Sequence, residues 1–336
     1  MSIEVKLAVP HIQLSMRLAI LLLLLASTVS AQTREKGPWW PSRWGPNDQS
    51  GASNWITPEK VLTAVRLVKT GRIYELGQPY NAAMPLGLGR SYTLVIPGSP
   101  TYGPWGSNQL VAHDELVTGS LGQVGTQFDG PGHIGQRMKM ADGSTQDVFY
   151  NGYTREEMRD PYGLKKLGVQ NVKPIITRGI LVDVAGLKNV PTLPAKYEVT
   201  VADVRAALTR QGIDEASIAP GDAIFFNYGT SLGWTDASKR VPGPPSGIGM
   251  EVARWVIAKQ ASMVGSDAGG TEVAPSDTTL SFPVHQELIM KNGIFNLENM
   301  HFEGLIADRV YEFLFVLTPL RLDGATGSPS RPLAIR

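Results

Sequence analysis

Between Gln123 and His133 the chain reads Gln-Val-Gly-Thr-Gln-Phe-Asp-Gly-Pro-Gly-His, and this is its most informative run of polar groups. Side chains alternate along a strand. If the extended stretch predicted for 115–124 continues through Asp129, then Gln123, Gly125, Gln127 and Asp129 share one face. The two glutamines and the aspartate converge, Gly125 leaves room between them, and the Gly130-Pro131-Gly132 turn brings His133 back toward the same pocket. Oxygen donors, one of them anionic, beside an imidazole can hold a divalent metal with His133 as proton carrier. The plainer reading stays open. Asp and His around such a turn also serve as turn-formers and surface groups, and two glutamines beside an aspartate also make a polar sheet edge.

A second group lies downstream. In His285-Gln-Glu-Leu-Ile-Met-Lys-Asn-Gly-Ile-Phe-Asn-Leu-Glu298, residues 286–291 read as a short helix and 294–297 as a short strand. The Asn292-Gly293 turn between them lets both ends face one site. A third piece, Gly265 to Glu272, is a strand end opening into a glycine-rich loop, a common binding surface. No helix signal of phosphate-loop type follows it. His113 reads as a surface or pocket histidine, and His301, close behind Glu298, as a possible neighbour of the site. Cysteine is absent, so any metal must sit on histidine, carboxylate or amide oxygen.

The elements that must position these groups alternate between strand and helix. Thr57-Pro58-Glu59 is an N-cap with proline at the first helical position, closed by Gly71; 72–76 follows as a strand. A buried strand is predicted at 177–184, and further strands at 223–228, 261–265 and 311–318. Thr200 and Asp203 form a capping-box start for a helix reaching Gln211, and 247–259 reads as another helix. This alternation argues an α/β fold, a single domain with a mixed β-sheet core flanked by helices. The 36 glycines and 24 prolines exceed average usage of about 7% and 5%, which implies abundant loops.

Residues 1–31 read as a secretory signal peptide. An apolar run at 18–26 follows Arg17, and small residues lead to Ala31. Met16-Arg17 makes a cleaner start than Met1, with the same mature product. Residues 32–56 read as an extended arm rich in Trp and Pro that packs on the body or on a second subunit, with ligand stacking as the rival reading, and 57–336 read as the main domain. Cleavage after Ala31 removes Lys6, Arg17 and Glu4 from 31 basic and 30 acidic residues and leaves the charges balanced. That balance argues against nucleic acid or an anionic membrane as partner. The protein is therefore expected to be exported, periplasmic or secreted, without membrane attachment after cleavage.

Together these segments resemble the cyclase-like metal-dependent hydrolase family, which includes bacterial kynurenine formamidase and isatin hydrolase. The family hallmark is His-x-Gly-Thr-His-x-Asp-x-Pro-x-His, and Gly125, Thr126, Asp129, Pro131 and His133 fall on its spacing. The unit from His285 to Glu298, the Pro220-Gly221-Asp222 strand entry and the C-terminal run also fit, so the resemblance covers most of the chain from Arg43 onward. It implies a swivelling β/α/β-like fold and a metal site. Asp129, His285 and Glu298 take the ligand positions, and His133 takes that of the general acid/base. The two motif histidines are replaced by Gln123 and Gln127. Gln127 can still give its amide oxygen, with Gln123 as a possible addition. A neutral amide in place of imidazole disfavours zinc relative to harder ions. One divalent ion is expected, with manganese and magnesium on a par with zinc.

The function so implied is hydrolysis of a non-peptide C–N bond in an amide, formamide or lactam by metal-activated water, with a dimer or tetramer as the assembly. Two rivals stand beside it. One is an exported small-molecule binding protein on the same scaffold without turnover; the other is a cyclase or lyase using the same metal. Phe128, Tyr102 and Trp105 are candidates to support a planar substrate.

Overall fold

Ile-Leu-Val, Ile-Phe-Phe and Met-Val-Gly runs give strands with no polar side to turn toward water, and they form the middle of one large sheet. Its strands, numbered in chain order, are β1 Ile73–Glu75, β2 Gln127–Asp129, β3 Ile175–Asp183, β4 Ala223–Asn227, β5 Met263–Ser266, β6 Phe295–Glu298, β7 Glu312–Leu317, β8 Gly327–Pro329 and β9 Leu333–Ile335. The computed structural model describes residues 36–87 and 89–336. Across the nine-stranded sheet the order is β1-β9-β7-β3-β4-β5-β6-β2-β8. Strands β3 to β6 run parallel, and β7 and β2 join them antiparallel. The sheet is therefore mixed, and its parallel centre is covered as such strands require.

The cover comes from three amphipathic helices: α1 Pro58–Val65, α2 Val201–Arg210 and α3 Met250–Ala258. Thr57 caps α1 through Lys60 N, and Thr200 with Asp203 closes a reciprocal capping box on α2. Val204, Ala207 and Leu208 of α2 join Val252, Ala253 and Val256 of α3 in one core with Ile180, Ile224 and Val264. Inside that core the Phe225 ring lies 4.7 Å from Phe315 and stacks on Phe313.

Three boundaries differ from the sequence expectation. Helix α1 ends at Val65, before Gly71, because Leu67 N and Val68 N reach back to Ala64 O and Val65 O in tighter turns. Helix α3 begins at Met250, because Gly247–Ile248 pairs in parallel with Glu198–Val199. The extended run expected from 115 through Asp129 does not exist. Leu116–Gly119 pairs with Tyr92–Val95 in a separate ribbon, and a 3-10 turn spans Leu121–Gln123. Gly125 then turns left-handed at φ 65°, and a Cβ there would run into the Tyr80 ring.

The described unit begins at Gly37. Trp40 is buried over Gly152, the Arg43 guanidinium lies 4.3 Å from the Trp55 ring, and Asn151 donates to the carbonyls of Gly45 and Asp48. The signal-peptide reading of 1–31 lies outside the described residues. Among those described, no helix is long and apolar enough to cross a membrane.

Candidate metal centre

Register makes the site. Strand β2 pairs with β6 so that Asp129 faces Asn296, Phe128 faces Leu297 and Gln127 faces Glu298. Alternation places Gln127, Asp129, Asn296 and Glu298 on one face and Phe128 and Leu297 on the other. Phe128 is fully buried, 5.0 Å from the Phe295 ring. It is a core residue and not a support for substrate. On the polar face, Gln127 Nε2 donates to Glu298 Oε2 at 2.8 Å.

His285 is delivered from a third element, α4 Pro283–His285, which continues as a π-helical turn through Lys291. Glu272, from the glycine-rich loop after β5, accepts from Val284 N at 2.6 Å and His285 N at 3.3 Å. Its other oxygen stands 3.4 Å from His285 Nδ1, in ionic range though not aligned as a hydrogen bond. A carboxylate behind a histidine in this way fixes the ring and leaves Nε2 to face the site. That nitrogen lies 3.2 Å from Glu298 Oε1 and 3.8 Å from Asp129 Oδ2.

Asp129, His285 and Glu298 thus offer ligand atoms all within 4.8 Å of one another, each residue buried. The electrostatics reflect the crowding. Burial opposes protonation of His285, but its contacts with Glu272 and Glu298 and the Asp129 charge outweigh it and hold the imidazole up at about 10. Burial first, then the Asp129 charge, raises Glu298, against the pull of His285 and His133. Asn296 Nδ2 sits among the three at 3.1, 2.9 and 3.1 Å from Asp129, Glu298 and His285. Its two amide hydrogens can serve the two carboxylates but bring only partial charge to them, and a protonated His285 Nε2 faces that nitrogen donor to donor. Gln127 Oε1 is buried without a hydrogen-bond partner. Two carboxylates, an imidazole and an unpartnered amide oxygen are a fitting donor set for one divalent cation.

The remaining expected residues fall at the edge or elsewhere. His133 Nε2 is 3.7 Å from Asp129 Oδ1, with its side chain 21% exposed. Gln123 arrives by the 3-10 turn rather than along a strand. Its Nε2 is 3.5 Å from Asp129 Oδ1, and its Oε1 accepts from Arg90 at 3.2 Å. His301 pairs with Glu303 at 2.8 Å in a separate groove of about 1190 Å³ that touches none of the cluster. His113, Tyr102 and Trp105 are exposed in or beside the ribbons and line no part of the site. The pocket above the cluster holds about 390 Å³, with Gln127 and Glu298 at its floor and Arg90, Gln123, Trp234 and Arg240 among its walls.

Two residues escaped the sequence reading, Asn296 and Glu272. Asn296 has a signal: in Phe-Asn-Leu-Glu the polar residues alternate within an apolar strand, so Asn296 shares the face of Glu298. Glu272 has none beyond its place at the end of a glycine-rich loop.

An α/β sheet whose two antiparallel strands carry the carboxylates of a buried cluster, completed by the histidine of α4, defines the class: a protein with a candidate metal-binding site. The chain belongs to the Cyclase family, whose profile, described as Putative cyclase, matches residues 30–273. A solved structure described as a novel cyclase is 31% identical, with a TM-score of 0.75 over 87% of this chain and 96% of its own. Isatin hydrolase A from Ralstonia solanacearum is 18% identical, TM-score 0.57, over 79% of this chain and 92% of its own. Isatin hydrolase A from Labrenzia aggregata, solved with benzyl benzoate, is 16% identical, TM-score 0.55, over 78% and 93%. At those lower identities the likeness is one of fold. Comparison with curated proteins gives no match.

Proposed function

We propose that this chain is a hydrolase of non-peptide C–N bonds, acting on an amide, formamide or lactam at the floor of the 390 Å³ pocket. One observation carries the reading: Asp129, His285 and Glu298 close on one point, with the unpartnered Gln127 oxygen beside them. These four would hold one divalent ion, manganese, magnesium or zinc, which when bound supplies Lewis acidity toward water and carbonyl oxygen. Gln127, fixed through its Nε2 to Glu298, lines the pocket and has its oxygen unpartnered. His133, partly exposed beside Asp129, takes a proton from the attacking water and returns it to the leaving nitrogen. The water oxygen joins the carbonyl carbon, the C–N bond breaks, and the products are a carboxylate and an amine.

Elemental analysis of protein purified without chelator tests this. The expected result is about one divalent ion per chain, lost in Asp129→Ala and His285→Ala, with turnover of simple formamides or lactams. An ion that binds without turnover of either class would favour the capture of a small molecule. That rival draws its support from Gln123 and Gln127 standing where the family pattern has histidine. Failure to bind any divalent ion on retitration would overturn the hydrolase reading.

Export with cleavage after Ala31 is proposed from the sequence, and N-terminal sequencing of the mature protein checks it. Self-association as a dimer or tetramer is supported by the exposed Leu94, Val95, Trp105, Leu110 and Leu116 of the ribbons. A monomer by light scattering would refute it.

A further inference from the structure

The pocket above the cluster has two poles. Asp267 and Glu298 lie on its acidic side, while Arg90, Lys239 and Arg240 contribute the cationic groups. Lys239 pairs with Asp236 at 3.6 Å. Arg240 has no carboxylate in ion-pair range among the described residues, and its Nε donates to Gly233 O at 2.8 Å. Arg90 shares that lack and differs in its partner. Among the described residues no carboxylate lies in ion-pair range of it, and its one hydrogen bond runs to the neutral Gln123 Oε1 at 3.2 Å. A guanidinium has five N–H donors in a planar fork, so most of its capacity is unused where it lines the pocket.

Gln123 explains the placement. Its carboxamide accepts from Arg90 at one end, and its nitrogen stands 3.5 Å from Asp129 Oδ1 at the other. The guanidinium is therefore set one carboxamide away from the cluster, close to it but off its ligands. The half-buried Arg90 keeps its charge, because arginine stays protonated in proteins. With a divalent ion on the cluster, Asp129 and Glu298 are neutralised, and Arg90 is the fixed positive charge of the wall tied to the cluster's edge, where an anionic group is drawn.

We infer that Arg90 is a carboxylate-recognition residue. The substrate is then an anionic amide, formamide or lactam whose carboxylate lies against Arg90 while its scissile carbonyl faces Gln127 and Glu298. The planar fork matches a carboxylate in two parallel hydrogen bonds. The carboxylate produced by hydrolysis forms at the scissile carbon, at the other end of the molecule, so recognition precedes the reaction. The chemistry assigned to the substrate rests on the hydrolase reading; the anion site does not.

The test separates the two. In metal-loaded protein, the affinities of benzoate and of its neutral isostere benzamide are measured by calorimetry for wild type, Arg90→Lys and Arg90→Met. Benzoate is expected to bind about 10- to 100-fold more tightly than benzamide. The preference should be lost in Arg90→Met and partly kept in Arg90→Lys, which retains charge without the fork. Benzoate affinity unchanged in Arg90→Met would place the anion elsewhere and overturn the inference, as would equal binding of the two probes. In parallel, kcat/KM is compared for formanilide and 3-formamidobenzoate. The ratio favouring the carboxylated substrate should fall toward one in Arg90→Met. Turnover of both formamides with no carboxylate preference removes the anion site and leaves the hydrolase. Benzoate binding that depends on Arg90 without turnover of either removes the hydrolase and leaves the anion site.

Discussion

Loading the Asp129–His285–Glu298 cluster with a cation is a proton exchange, and its pH dependence follows from the geometry. In the metal-free protein His285 is held up at about 10, so near neutral pH its imidazole carries two protons. The one on Nε2 must leave before that nitrogen can act as a ligand. One proton lost per cation makes affinity rise about tenfold, roughly 1.4 kcal/mol, per pH unit while the imidazole remains protonated. The Kd for Mn²⁺ is therefore expected to fall about 100-fold between roughly pH 6.5 and 8.5. Calorimetric titration in two buffers of different ionisation heat reads both the Kd and the proton count, and about one proton should be released per ion near neutrality. Glu272→Gln is the control. Its amide oxygen can still accept from Val284 N and His285 N, but a charge that holds His285 up is gone, so the slope should flatten at lower pH. The same shift has a consequence for stability. A folded value of about 10 against the ordinary imidazole value of 6.5 means that protonated His285 stabilises the metal-free fold fully below 6.5. That contribution is lost as pH rises through about 10, so metal dependence of the melting temperature should grow on the alkaline side. A Kd that stays flat across the window, with no proton released, would show that His285 does not ligate and would refute the assignment.

His133→Gln should leave cation affinity within about twofold and lower kcat by about 10²- to 10⁴-fold, read from titration and steady-state kinetics on one sample. Gly125→Ala forces a Cβ into the Tyr80 ring at a left-handed φ of 65°, and chemical denaturation should show a loss of more than about 1–3 kcal/mol. Phe128→Ala empties a fully buried site beside Phe295 and is expected to cost about 3–5 kcal/mol by the same measurement. In that variant weaker cation binding should accompany the lost stability, since β2 carries two of the donors.

What could be read from the chain was what local chemistry decides. The α2 helix was found at both ends because Thr200 and Asp203 make its cap without help from the rest of the fold. The buried strands β3, β4 and β7 were found because unbroken apolar runs have no other use. The misplacements share a cause in distant contacts. Residues 247–248 look helical in isolation but are held extended by Glu198–Val199. The polar alternation from Gln123 to Asp129 imitates a strand, while Gly125 bends the backbone around a tyrosine forty-five residues earlier in the sequence.

Gln123 nevertheless stands beside Asp129. Convergence of Gln123 with Asp129 does not need a shared strand face, because the 3-10 turn returns Gln123 to the same edge by another path. Convergence of Asp129 with Glu298 does need register. Slipping β6 by one residue against β2 would turn Asn296 and Glu298 into the core and bring Leu297 out between the ligands. The Phe128–Leu297 pair on the opposite face is what forbids that slip. The apolar side of these two short strands therefore specifies the polar side. The metal-binding geometry depends as much on Phe128, which touches no ligand atom, as on the carboxylates themselves.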